Sequence, residues 1–237
     1  MTLYDLYLES GPKRKKTMVH VPALLGCIAN GPTTEEALER TPDAIRAFLR
    51  FLQCHGAAVD PEEEIETRVA EQVTEGDWLG NGSPYLVFPS DLEPLTPDDV
   101  ETFVTRAAWM RADMLALVAD LTDDEWTEKL ATGRAVRRIL EHVAGAEYSY
   151  VRYFGKIPGL AGPGAMEKMG RERFLAWIDH VQQCEFDRLR SFTDAERSEP
   201  FIRGQTTRTA RKVMRRMLEH QWEHLAELRD RLDEPAP

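Results

Sequence analysis

From Thr96 onward, apolar residues recur at helical spacing in four successive stretches, and no other feature of this chain limits its fold so tightly. Thr96-Pro97-Asp98-Asp99 sets a cap residue, then proline at the first helical position, then acids against the helix dipole. The helix predicted from there to about Leu121 buries Phe103, Val104, Ala107, Met110, Met114, Leu117 and Val118. Thr122-Asp123-Asp124-Glu125 repeats the capping signal. A second helix is predicted from about Arg134 to Phe154, and GKIPGLAGPG then breaks the chain. A third runs from about Ala165 to Phe192 and a fourth from about Thr206 to Leu232. An amphipathic helix must bury its apolar stripe against a neighbour, so four of this length predict an all-α four-helix bundle over residues 96–237.

The start of the chain has another rhythm. LYDLYLE alternates like a strand, and TMVHVPALLGCIA supplies two more short strands, punctuated by Pro22 and Gly26. Thr33-Thr34-Glu35-Glu36 then opens an amphipathic helix carrying Ala37, Leu38, Ala44, Ile45, Phe48, Leu49 and Leu52, with a kink or restart expected at Pro42. PEEEIETRVAEQV reads as a helix start or as a strand. Ile65, Thr67, Val69 and Val73 favour a strand joining the first sheet. Residues 1–75 are therefore expected to form a small α+β unit of sheet plus helix. Residues 76–95, rich in Gly and Pro, read as a linker with one short strand, Tyr85 to Phe88.

A formal charge of −11 argues against nucleic acid as the main partner, since phosphate binding needs a positive surface. Two basic runs stand against that background. Lys13-Arg14-Lys15-Lys16 follows Gly11-Pro12 and reads as a solvated hairpin turn. Arg208, Arg211, Lys212, Arg215 and Arg216 lie on the fourth helix and face either solvent or an anionic substrate. No run approaches the ~18 apolar residues of a membrane span, and MTLYDLYLES has neither the basic start nor the apolar core of a signal peptide. Cys27, Cys54 and Cys184 form no C-x-x-C pair, so free thiols and a cytoplasmic location are expected.

LEHQWEH places His220 and His224 four residues apart, on one side of the fourth helix and flanking its stripe of Met214, Met217, Leu218, Leu225, Leu228 and Leu232. Two such imidazoles can share a cation, or can be two polar residues on a wet surface. His142 is the histidine of the second helix. Its line of neighbours, Ala135, Ile139, Ala146, Ser149 and Tyr153, is mostly small and leaves room for a cation. The heavier stripe of Leu140, Val143, Val151 and Phe154 lies on another face, so His142 can equally point to solvent. His20, His55 and His180 show no partner by spacing, and Glu147, Glu219 and Glu223 read as surface acids or as partners of an imidazole N–H.

Two stretches look familiar. HVPALLGCIANGPTTEEALERTPDAIRAFLRFL resembles the HicB-like antitoxin module, with its Pro-x-x-x-Gly-Cys turn and Thr-Glu-Glu-Ala helix start, over roughly residues 3–55. That resemblance implies a truncated ribonuclease-H-like fold that grips a small toxin. The acidic charge suits such a protein partner, and a helical bundle follows where the family often has a DNA-binding segment. RRILEHVAGAEYSYVRYF followed by HQWEH is similar to the DinB superfamily over about residues 98–232. The second resemblance implies a divalent metal held by His142, His220 and His224, with an open position for water or substrate. It also implies a thiol-dependent transferase, isomerase or hydrolase that acts on a small molecule with a low-molecular-weight thiol. Zinc, nickel, iron and manganese all suit imidazole ligands. The alternative is a regulatory, antitoxin-like binding module without enzymatic activity; monomer and homodimer both stay open.

Overall fold

The computed structural model describes residues 1–11, 16–129, 133–160, 162 and 166–234. Three short antiparallel runs and one parallel strand make the first sheet: β1 (Thr2–Ser10), β2 (Thr17–His20), β3 (Ile28–Gly31) and, after helix α1 (Thr34–Cys54), β4 (Ile65–Val73). The order is β3-β2-β1-β4, with Leu8 opposite Val19 and with Thr2 opposite Ile65. Leu6, Leu8, Met18 and Val19 are buried, and α1 packs its Ala37, Ile45, Phe48 and Leu52 onto this layer. The Thr33 hydroxyl accepts from the Glu36 N–H and caps α1. Pro42 brings no restart: α1 continues through it. Thr41, just before it, turns its hydroxyl back onto the Ala37 carbonyl at 2.7 Å. The stretch 65–73 is a strand, as its β-branched residues imply.

Residues 85–88 are not the short strand expected. They lie between Pro84 and Pro89, which offer no N–H to a ladder, and the segment is folded down instead. Phe88 is buried, its N–H donates to Asp91 at 2.9 Å, and a 3₁₀ turn follows over Pro89–Leu92. The basic hairpin expected at 11–16 falls, from 12 to 15, outside the described residues.

Helices α2 (Pro97–Val118), α4 (Val136–Val151), α5 (Arg171–Arg190) and α7 (Ala210–Arg231) form the bundle. Contacts join α2 to α7, α7 to α4, α4 to α5 and α5 to α2, closing a four-membered ring. The Thr96 capping box is present. Thr122 caps only the five-residue α3 (Asp123–Thr127), and Thr193 caps an equally short, unexpected α6 (Asp194–Ser198). The fourth bundle helix starts later than its periodicity suggests. Phe201–Arg203 (β5) and Thr206–Arg208 (β6) pair as a hairpin, and Thr209 then caps α7 by accepting from the Lys212 N–H. Thr206 and Thr207 are β-branched, which suits them to that hairpin. The start expected for the third helix at Ala165 lies outside the described residues; α5 begins at Arg171.

Sheet and bundle share one contiguous core that runs from Tyr4 to Leu228. Phe48 and Phe51 of α1 lie against Trp222 of α7, with ring centroids 5.0 and 5.1 Å away. Gly26 (φ +105°) turns the chain between β2 and β3; a Cβ there would meet the Leu218 Cβ and Phe48 Cζ at 3.2 Å, so the turn lies directly on α7. Among the described residues, no helix is long and apolar enough to cross a membrane.

Candidate metal centre

On α7 the four-residue spacing of His220 and His224 brings their rings edge to face, 4.4 Å between centroids. Across the bundle, α4 brings His142 to within 4.7 Å of the His220 ring and 4.8 Å of the His224 ring. His142 turns toward its partners rather than to solvent alone. The His220 Nε2 lies 2.9 Å from the His142 Nε2 and 3.1 Å from the His224 Nε2.

This geometry tests the sites for a cation. A neutral imidazole has one N–H and one lone pair. The His224 Nδ1 lies 2.6 Å from the Glu227 Oε2, and a carboxylate only accepts, so His224 carries a proton on Nδ1, and its neutral form presents a bare Nε2. A proton on the His220 Nε2 serves only one of the two close contacts well. A cation at their centre satisfies all three lone pairs. Tetrahedral zinc–imidazole geometry would set such nitrogens ~3.3 Å apart; the two separations from His220 lie just inside that, and all three nitrogens lie within 4.8 Å of one another. The donor set fits a divalent ion.

The electrostatics keep the lone pairs available. Burial, and then the repulsion that a protonated His224 would exert, push the His142 imidazole down to about 4. Burial, then His224 and His142, push His220 down to about 2. Both are neutral near pH 7. Burial alone would raise the Glu227 carboxyl, but the hydrogen bonds from His224 and Arg134 hold it at about 2. Arg134 Nη2 donates to the Glu227 Oε2 at 2.6 Å, so an ionised carboxylate both orients His224 and is itself held in place. Neither Arg134 nor Glu227 stands out in the sequence reading. Glu227 was visible as the i+3 neighbour of His224; Arg134 precedes the first turn of α4 and gives no such signal.

The three imidazoles line a cleft of about 440 Å³. Tyr150, Tyr153 and Glu223 line it from the bundle, and Lys16, Asn81 and Pro84 from the N-terminal half. The basic run expected on the fourth helix, facing solvent or an anionic substrate, begins on β6 with Arg208 and continues on α7, and its side chains are held mostly by the protein's own groups. Arg215 is buried, donates to both Asp91 oxygens at 2.7 and 2.8 Å, and pairs with Glu219 at 3.0 Å. Arg216 Nη1 donates to the Glu219 Oε2 at 2.6 Å, and this residue alone among the five also lines the cleft. Lys212 is buried with its Nζ donating to the Pro84 carbonyl at 2.7 Å. Arg211 donates to the Pro94 carbonyl and to Asp99, and the Arg208 guanidinium lies 4.1 Å over the Tyr153 ring.

The remaining candidates have partners that spacing did not reveal. His20 Nδ1 is 2.9 Å from Glu219, which therefore serves His20 rather than the triad. Glu147 is buried in the bundle and accepts from Arg111 and Gln221. His55 stacks on Trp109 and meets Asp113 at 3.1 Å, and His180 lies beside Cys184. The three cysteines are free thiols, as expected.

Comparison with known proteins agrees with both halves. The family model for the DinB superfamily matches residues 106–228, which include all three histidines. The N-terminal part is similar to UPF0150 protein Ta0767 of Thermoplasma acidophilum, 44% identical over 50 residues, which is 20% of this chain and 72% of that protein. No solved structure matches the chain.

Proposed function

The chain belongs to the DinB superfamily, and from that premise we propose that it is a metal-dependent enzyme acting on a small molecule, with one divalent cation held by His142, His220 and His224. The observation that carries the reading is the convergence of three imidazole nitrogens, each with its neighbour at hydrogen-bond distance, on a cleft large enough for a small ligand. A divalent ion held this way supplies Lewis acidity, lowering the pKa of a coordinated water or thiol. The chain's own residues do the rest. Glu227 fixes the His224 tautomer, and Arg134 keeps that carboxylate ionised. Glu223, three residues on from His220 and lining the cleft, can take up the proton such a ligand releases. Tyr150 and Tyr153 give the substrate an aromatic wall. Transferase or isomerase chemistry with a low-molecular-weight thiol is the reaction class we assign, and zinc, nickel, iron and manganese are all compatible ions.

Elemental analysis of the purified protein tests this beside a His220→Ala, His224→Ala double variant. About one equivalent of a transition metal in the parent, absent in the variant, is expected. A parent that holds no metal and takes up neither zinc nor nickel would overturn the reading. The second reading, a protein-binding module, is favoured by one observation. Among the described residues β4 is an edge strand, paired on one side only, and most of its side chains are exposed. A metal-free protein would move the search to partners of that edge.

A further inference from the structure

The bundle alone does not enclose the cleft. Its opposite wall comes from the N-terminal half, through Lys16 at the entry to β2 and through Asn81 and Gly82 in the irregular segment that follows β4. These residues are held firmly. The Lys16 carbonyl accepts from the Gly11 N–H at 2.8 Å. The Ser83 N–H donates to the buried Glu9 carboxylate at 2.9 Å, and the Gly82 N–H donates to it too. Gly82 (φ +74°) has the Arg216 guanidinium where a Cβ would stand, so the segment lies flush against α7.

Two cationic side chains reach the cleft, and they differ. Arg216 already has its counter-charge in Glu219. The Lys16 ammonium donates to a neutral group, the Asn81 Oδ1 at 3.1 Å, and among the described residues it has no carboxylate partner. An ammonium carries three N–H donors, so Asn81 aims the group and leaves two donors to spare. Glu223 is the single acid among the described residues that line the cleft. With a divalent ion on the imidazoles, one carboxylate does not balance the positive charge there.

We infer that Lys16 is a ligand-binding residue: it holds the acidic group of a small organic anion whose other end reaches the three histidines, with Asn81 as its positioning residue. The N-terminal unit thereby selects the substrate class. This rests on the metal reading proposed above.

The probes are two hydroxamates, both able to chelate a metal. Succinic acid monohydroxamate carries a carboxylate at its far end, and butyrohydroxamate does not. Their affinities for the full-length, zinc-loaded protein are measured by calorimetry. The parent is expected to prefer the carboxylate-bearing probe by roughly fivefold to tenfold, the scale of one partly exposed charge-assisted hydrogen bond. Lys16→Met abolishes that preference and leaves the neutral probe's affinity unchanged, while Lys16→Arg restores it. If Lys16→Met retains the full preference, or the parent has none, the inference fails although the metal reading stands. If neither probe binds the zinc-loaded protein more tightly than the metal-free protein, the metal reading fails and this inference goes with it.

Discussion

Two polar clusters sit on α7 within two turns of each other, and they are built on opposite plans. In the first, Arg215 and Arg216 meet Glu219, His20 and Asp91, so that buried charges of opposite sign face each other. In the second, three imidazoles face one another with their lone pairs, and the nearest carboxylate, Glu227, lies behind His224 rather than among the converging nitrogens. The first cluster balances its own charges, although the His20 Nε2 and the Arg216 Nε find no hydrogen-bond partner. The second brings lone pairs together with no opposite charge between them, the arrangement on which the proposed metal site rests. Loss of a member should therefore harm the two clusters differently: the first in folding, the second in binding.

The largest expected effect is on the first cluster. Glu219→Ala leaves two buried guanidinium groups short of their shared counter-charge, and breaking such a pair costs about 3–5 kcal/mol. Denaturant unfolding measures it. In the same assay His220→Ala should cost less than about 1 kcal/mol, since it removes a neutral half-buried ring. Equal losses would erase the contrast between the clusters. Next comes the ligand itself: zinc at about a hundred times its dissociation constant should stabilise the parent by about 2.7 kcal/mol and leave the His220→Ala, His224→Ala variant where it was. Glu227→Gln sharpens the contrast further. It keeps the shape but frees the His224 tautomer, so zinc affinity is expected to fall roughly tenfold to a hundredfold with little change in the stability of the metal-free protein.

The smallest effect is a slope in pH. Burial, then the charge of Arg208, push the Lys212 ammonium down to about 7 from its ordinary 10.5. Between those values the unfolded chain binds the extra proton, so stability should rise with pH across that window and level off above it. Lys212→Met removes the slope. At the acid end the sign is fixed by Glu219: burial would raise its carboxyl, but Arg215, His20 and Arg216 hold it well below the usual carboxylate range. Its contribution is present above the ordinary carboxylate value and is lost as pH falls through the folded one.

Local patterns were legible in the sequence; long-range pairings were not. The four bundle helices and the strand at 65–73 follow from periodicity and β-branching, because both describe one element at a time. The histidine pair is readable for the same reason; the helical neighbours of His142 left it between cation and solvent, and the family resemblance made it the third ligand. The burial of Arg215 and Arg216 was not legible because, beyond Glu219 on the same helix, the groups around them come from far away: the His20 Nδ1 that lies 3.1 Å from the Arg215 guanidinium is 195 positions off, and Asp91, 124 positions away, sits in a segment with no periodicity. The strand expected at Tyr85–Phe88 failed because apolar residues between two prolines look extended whether they pair or only bury one ring. The late start of α7 is similar: Thr206 and Thr207 fit the helical register, yet the hairpin uses them first.

The unbroken core between sheet and bundle has a consequence for how the molecule opens. Gly26 lies on Leu218, and Phe48 and Phe51 lie on Trp222, so α7 cannot leave the bundle without also uncovering the sheet. Amide protons of Leu8 and Val19, on paired strands that this shared core covers, are then expected to exchange with solvent through the opening that frees α7. Filling the histidine cluster should slow them by the same factor as it slows the amides of α7 itself, so that a strand at one end of the chain keeps time for a site at the other.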